Sequence, residues 1–220
     1  MKKAIVIAVS FLCIAAFAQG KVGFVTDSLH LVYWGPSAGT YFGQAVNSDN
    51  KPAGLPGLVA NLYMGTSSSQ LFLYSGATFG PLASGPGRWS FMNVQANANP
   101  TTGAPAISSG TVFVDVAVLS TEKPAPNIFD PAAFQTFAAN GTSSEFTFIL
   151  GTSVIYPVLY GPDSGGSWLP GTFNMDQYGA GSRGAIQVNI IPEPSTLALT
   201  GLGLATLLIR RKPFRNESTP

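Results

Sequence analysis

The chain reads as an all-β protein, an antiparallel two-sheet β-sandwich of jelly-roll-like kind with one short helix. Three observations predict this. Residues 111–119 alternate strictly, with Val112, Val114, Val116 and Val118 on one face and Phe113, Asp115, Ala117 and Leu119 on the other, the period-two signature of a strand. The 25 Gly and 17 Pro are spread along the chain and cut it into short segments, as turn-rich β proteins require. No alternation of strand and helix periodicity runs through it, which argues against a parallel βα fold and for two packed sheets.

Taken in order, short strands are expected at residues 22–25 and 40–46. A longer one follows at 58–64, where Leu58, Ala60, Leu62 and Met64 oppose Val59, Asn61 and Tyr63. Residues 70–74 and 88–94 precede the central strand at 111–119, and 146–150, 154–159 and 185–191 follow it. Breaks at residues 49–52, 66–69, 80–87, 98–105 and 161–166 supply the turns. One helix interrupts the pattern, over about residues 131–139. Asp130 caps it, Pro131 suits its first position, Gly141 closes its end, and Phe129 staples onto Phe134. Phe134 and Phe137, three apart, then face the sandwich at an open edge or end. Residues 19–191 make one domain, long enough for a real core and too short for two.

Both ends are of a different kind. Met1-Lys2-Lys3, the apolar run of residues 4–18 and Ala16-Phe17-Ala18 before Gln19 form a signal peptide over residues 1–18, with Ala16 and Ala18 at the cleavage site. Its partners are the Sec translocon and signal peptidase. The one cysteine, Cys13, lies inside it, so the mature chain holds no thiol or disulfide. At the other end, residues 197–209 carry no charge and as a helix span roughly 20 Å, short of the roughly 30 Å hydrocarbon core. Arg210, Arg211 and Lys212 stop this transient membrane anchor at the inner interface and place everything before Pro192 outside. The run is worth on the order of 3 kcal/mol, about what burying Glu193 would cost, so Glu193 stays outside. Pro192 and Pro194 hold the residues before them extended.

This tail, residues 192–220, resembles the PEP-CTERM sorting signal, in which Pro-Glu-Pro precedes a short Gly-bearing apolar helix and an Arg-rich terminus. Pro192, Glu193 and Pro194 match, as do Ser195-Thr196, Gly201-Leu202-Gly203 and Arg210-Arg211. The extension over residues 213–220 departs from the pattern. The resemblance implies an exosortase, a membrane cysteine protease or transpeptidase, as partner. It further implies removal of the tail during export to the cell surface or the exopolysaccharide matrix. Asn61-Leu62-Tyr63-Met64-Gly65 and residues 110–118 and 141–148 are loosely similar to uncharacterised ectodomains bearing the same tail, which implies no activity.

Charge and motifs narrow the function. Residues 19–191 keep Lys21, Lys51, Arg88, Lys123 and Arg183 against eight carboxylates, about −3. Nucleic acid is therefore not a partner, because phosphate binding needs clustered cations. Gly35-Pro36-Ser37-Ala38-Gly39 matches the nucleophile elbow G-x-S-x-G, but no strand-to-helix context surrounds it. The one histidine, His30, also precedes Ser37, whereas a hydrolase triad places it last. Gly179-Ala180-Gly181-Ser182-Arg183-Gly184 matches G-x-G-x-x-G, yet a strand rather than a phosphate-binding helix follows. No metal set is assigned: His30 stands alone, and Asp27, Asp49, Asp163 and Asp176 form only a scattered oxygen background. No catalytic residue and no cofactor is expected. Trp34, Trp89 and Trp168, with Tyr33, Tyr41 and Tyr178, fill a core or stack on sugars. Trp168 and Trp34 are the sugar-stacking residues of the alternative reading, a lectin-like module for extracellular polysaccharide. The leading expectation is a non-enzymatic surface or matrix protein; an extracellular hydrolase is disfavoured.

Overall fold

The computed structural model describes residues 19–26, 31–81, 85–143, 145–152, 156–159, 173–174 and 183–192. Its strands are β1 Lys21–Phe24, β2 Leu31–Trp34, β3 Leu58–Ser67, β4 Gln70–Thr78, β5 Met92–Gln95, β6 Gly110–Ser120, β7 Ala139–Thr142, β8 Phe146–Leu150, β9 Phe173–Asn174 and β10 Arg183–Ile190. A 3-10 helix, Pro36–Tyr41, follows β2, and one helical turn, α1, Pro131–Phe134, precedes β7. β1 and β5 form a two-stranded sheet. The large sheet has eight strands in the order β2-β10-β7-β6-β3-β4, with β8 also on β6 and β9 on β10. The all-β class and the two sheets are as the sequence predicts.

β6 is the spine. β3 runs along one side, from Leu58 opposite Ser120 to Gly65 opposite Phe113. On the other side β8 covers its first half and β7 its second. Ser143 bridges the gap between them, its amide donating to Val116 O and its hydroxyl accepting from Val116 N, both at 2.9 Å. The alternation of β6 explains the layering. Val112, Val114, Val116 and Val118 are wholly buried in the main core with Leu62, Met64, Phe148, Val188 and, from the small sheet, Val22, Phe24 and Val94. Ala117 and Leu119 face the other way into a second cluster with Tyr63, Leu71, Phe134 and Phe137. Each fully buried valine contributes about 1.5–3 kcal/mol, so a strand sunk on both faces holds the fold.

Four expectations need correction. The sheets are not purely antiparallel: β10 enters between β2 and β7 and runs parallel to β2. The helix starts as predicted, with Asp130 Oδ1 accepting from Ala132 N at 2.9 Å, but ends at Phe134. Residues 139–142 are claimed by pairing with β6 and β10, and Gly141 is not a helix stop. A Cβ there would lie 2.3 Å from Gln187 O, so only glycine lets the strands close. Residues 40–46 are not a strand, because Gly39 and Gly43 take positive φ, 60° and 76°; only Ala45 bridges back to Tyr33. The expected strand at 88–94 begins only at Met92, Trp89 making a lone bridge to Phe79. β2, unforeseen in the sequence, takes four residues just before that 3-10 helix. The expected signal peptide, residues 1–18, and the apolar run at 197–209 lie outside the described residues. Among the described residues no helix is long and apolar enough to cross a membrane.

Candidate functional site

β10 ends at Ile190, two residues before Pro192. Ile190 lies opposite Ala139, and Asn189 opposite Asn140. Two further bonds tie this end: Ile191 N donates to Ala138 O at 2.9 Å, and Ile190 N to Ser37 Oγ at 2.6 Å. Ser37, from the apparent nucleophile elbow, is thus a clamp on β10, its hydroxyl also 3.4 Å from Asn189 Oδ1. Pro192 is exposed and has no amide hydrogen, so the ladder cannot continue through it.

A groove of about 360 Å³ opens beside this exit, between Glu122, Gln135, Thr136, Phe137, Ile191 and Pro192. A second hollow of about 400 Å³, lined also by Lys123, adjoins it across Glu122 and Phe137. The two charges between them have structural work. Ala138 N donates to Glu122 Oε1 at 2.8 Å. Burial pushes the Glu122 carboxyl up, but that bond, Ser120, its own amide and nearby Lys123 together hold it below the usual range. Lys123 Nζ donates to Thr136 O at 2.7 Å and to Thr136 Oγ1, and lies 4.3 Å from the Phe137 ring centre. Together they pin residues 135–138 against the end of β6.

Among the described residues one carboxyl group is deeply buried elsewhere. Asp115, 5% exposed, accepts from Ser143 Oγ at 3.1 Å. Burial pushes its pKa up to about 7, Ser143 opposing and the charge of Glu145 adding. Ser143 Oγ is already engaged by Val116 N and Asp115, an arrangement that fills a gap in the sheet rather than aiming a nucleophile at solvent. Among the described residues no group of three His, Cys, Asp or Glu side chains could hold a metal.

Of the sugar-stacking pair, Trp34 is overturned. Its side chain is fully buried, with Nε1 donating to Asn50 O at 3.0 Å, so neither ring face meets solvent. Trp89 is buried against Phe24, ring centres 4.9 Å apart. Trp168, Tyr178, His30, Asp27, Asp163 and Asp176 lie outside the described residues. So do Glu193, Pro194, Arg210, Arg211, Lys212, Ala16 and Ala18. What sequence reasoning missed is an aromatic and amide surface on the small sheet. Phe91, 52% exposed, lays its ring edge 3.2 Å from where a Cβ on Gly23 would stand. Gln95 Nε2 donates to Tyr156 Oη at 2.9 Å, and Lys21 Nζ is 5.5 Å from the Tyr156 ring centre. Asn93 and Gln95 flanking the buried Val94 were the signal for it.

The family model for the PEP-CTERM protein-sorting motif matches residues 191–212. The chain carries a PEP-CTERM protein-sorting motif. The match opens at Ile191, the residue after β10, whose amide is bonded to Ala138, includes Pro192, Glu193 and Pro194, and ends on Lys212. A PEP-CTERM motif implies export, membrane-associated sorting and an exosortase as processing partner. Comparison with curated proteins and with solved structures finds no match.

Proposed function

We propose that this chain is a non-enzymatic protein of a bacterial cell surface or exopolysaccharide matrix. It is exported through the Sec translocon and relieved of residues 1–18 by signal peptidase. Residues 197–209 then hold it transiently in the membrane, and an exosortase processes it at or near Pro192-Glu193-Pro194. We read the two sheets as the layers of a sandwich whose role is to present surface, not to turn over substrate. One observation carries this reading: the matched motif begins at Ile191, directly after the end of β10, and its second residue, Pro192, has no amide hydrogen with which to extend the ladder. Processing beyond that point leaves the sheet whole. Support for a non-enzymatic role comes from Ser37 and Ser143, whose hydroxyls are engaged in holding strands. Mass spectrometry of the chain recovered from the surface tests it. A C-terminus within residues 192–196 is expected; a chain still ending at Pro220 refutes processing.

The Phe91 and Tyr156 surface favours a second reading, a lectin-like module for exported polysaccharide. An exposed ring held against a glycine is a ready stacking face, and the Gln95 amide, held at the Tyr156 hydroxyl, is a second hydrogen-bonding group on the same side of the molecule. Titration with matrix polysaccharide is expected to give saturable binding that Phe91→Ala abolishes. Unchanged binding in that variant refutes it.

A further inference from the structure

We propose that, while the tail is in place, the protein rests with one end of its large sheet against the headgroup layer of the membrane. The contact surface is formed by residues 121–124 and 135–138 with Pro192. This rests on the anchoring reading above and adds an orientation to it.

Strand pairing defines the end in question. Ile190 lies beside Ala139, Asn140 beside Leu119, and Ser120 beside Leu58, so the exit of β10, the turn before β7 and the turn after β6 share one end of the sheet. The β3–β4 hairpin lies at the other, where Ser67 pairs with Gln70. With 10 residues in β3, the two ends are separated by roughly 30 Å.

The covalent chain then limits the distance to the bilayer. Only Glu193, Pro194, Ser195 and Thr196 separate Pro192 from the apolar run that begins at Leu197. Fully extended at about 3.6 Å per residue, that segment keeps Pro192 within about 18 Å of the run. The headgroup region takes up roughly 5–8 Å of that distance. Because Ile191 is bonded to Ala138, the body cannot pay out further chain without opening its sheet. The surface so placed suits headgroups. It offers Thr121, Gln135 and Thr136 as polar groups, and its charges, Glu122 and Lys123, are opposite in sign and tied to protein partners. Processing at the Pro-Glu-Pro segment uncovers this end.

The experiment uses residues 19–220, the chain left once residues 1–18 are removed, which contains no cysteine, reconstituted into phosphatidylcholine vesicles bearing a headgroup nitroxide. Single cysteines at three exposed positions, Gln135→Cys, Thr121→Cys and Ser68→Cys, each carry an environment-insensitive fluorophore. Nitroxide quenching several-fold stronger at positions 135 and 121 than at 68 is expected, and it disappears when the chain is cut after Pro194. A chain that floats with the vesicles but quenches equally at all three positions overturns the orientation and leaves anchoring intact. A chain that does not float overturns both. Positions 135 and 121 shielded from lipid and self-quenching with protein density would mean that a second copy covers this end, which also overturns the proposal.

Discussion

Replacing Asp115 by asparagine is expected to stabilise the protein at high pH and to leave it unchanged in acid. The carboxyl sits between Tyr63 on β3 and Ser143, with like charge from Glu145 nearby. Burial moves its pKa from 3.8 to about 7, and each tenfold change in proton affinity is worth about 1.4 kcal/mol. Below about pH 4 it is protonated both folded and unfolded, and contributes nothing. As pH rises toward 7 the unfolded chain releases the proton while the folded chain keeps it, so stability falls. Above 7 the loss is complete and amounts to about 4 kcal/mol. Asparagine keeps an oxygen to accept from Ser143 and never ionises. Urea unfolding followed by tryptophan fluorescence should therefore show Asp115→Asn gaining up to about 4 kcal/mol at pH 8, shrinking to nothing near pH 4. Comparison at each pH cancels titrations common to both proteins, Glu122 among them. A difference that does not change with pH, or a variant weaker at pH 8, refutes the reasoning. The carboxylate would then be stabilising through Ser143 and Val116 more than it costs to bury.

Three further outcomes follow from the packing. Gly141→Ala puts a methyl 2.3 Å from Gln187 O and is expected to cost about 3 kcal/mol or prevent folding, read from the urea midpoint. Ser37→Ala removes the acceptor for Ile190 N and should cost about 1 kcal/mol, with amide exchange at Ile190 accelerated in proportion. Truncation after Pro192 should leave the unfolding midpoint unchanged, whereas truncation before β10 should abolish the cooperative transition seen by circular dichroism. β10 carries pairings to β2, β7 and β9.

β6 was legible in the sequence because its alternation is local and its two faces differ in kind, valines toward one core, Ala117 and Leu119 toward the other. The start of α1 was legible for the same reason, since Asp130 and Pro131 act on the adjacent turn. Its end was not. Whether residue 139 continues a helix or joins a strand depends on β6 and β10 arriving beside it, and β10 lies more than forty residues later. Gly141 reads as punctuation in one dimension, while in three it is the space under Gln187. Trp34 failed similarly: an indole is equally suited to a core or a sugar face, and only its bond to Asn50 O decides for the core. The sorting motif was legible because a linear signal carries its chemistry in consecutive residues.

The junction at Ile191 and Pro192 shows how such a signal can be attached to a β domain without weakening it. A strand in the middle of a sheet would ordinarily transmit any pull on its end into the ladder, one net bond of about 1 kcal/mol at a time. Among the described residues the last amide to bond is that of Ile191, and Pro192 has none to offer, so the ladder cannot continue through it. Nor can a tug unzip β10 cheaply, because its end is held both by Ala138 O and by Ser37 Oγ from separate elements. A cut beyond Pro192 therefore leaves β10 its pairings to β2, β7 and β9 and its bonds to Ala138 and Ser37.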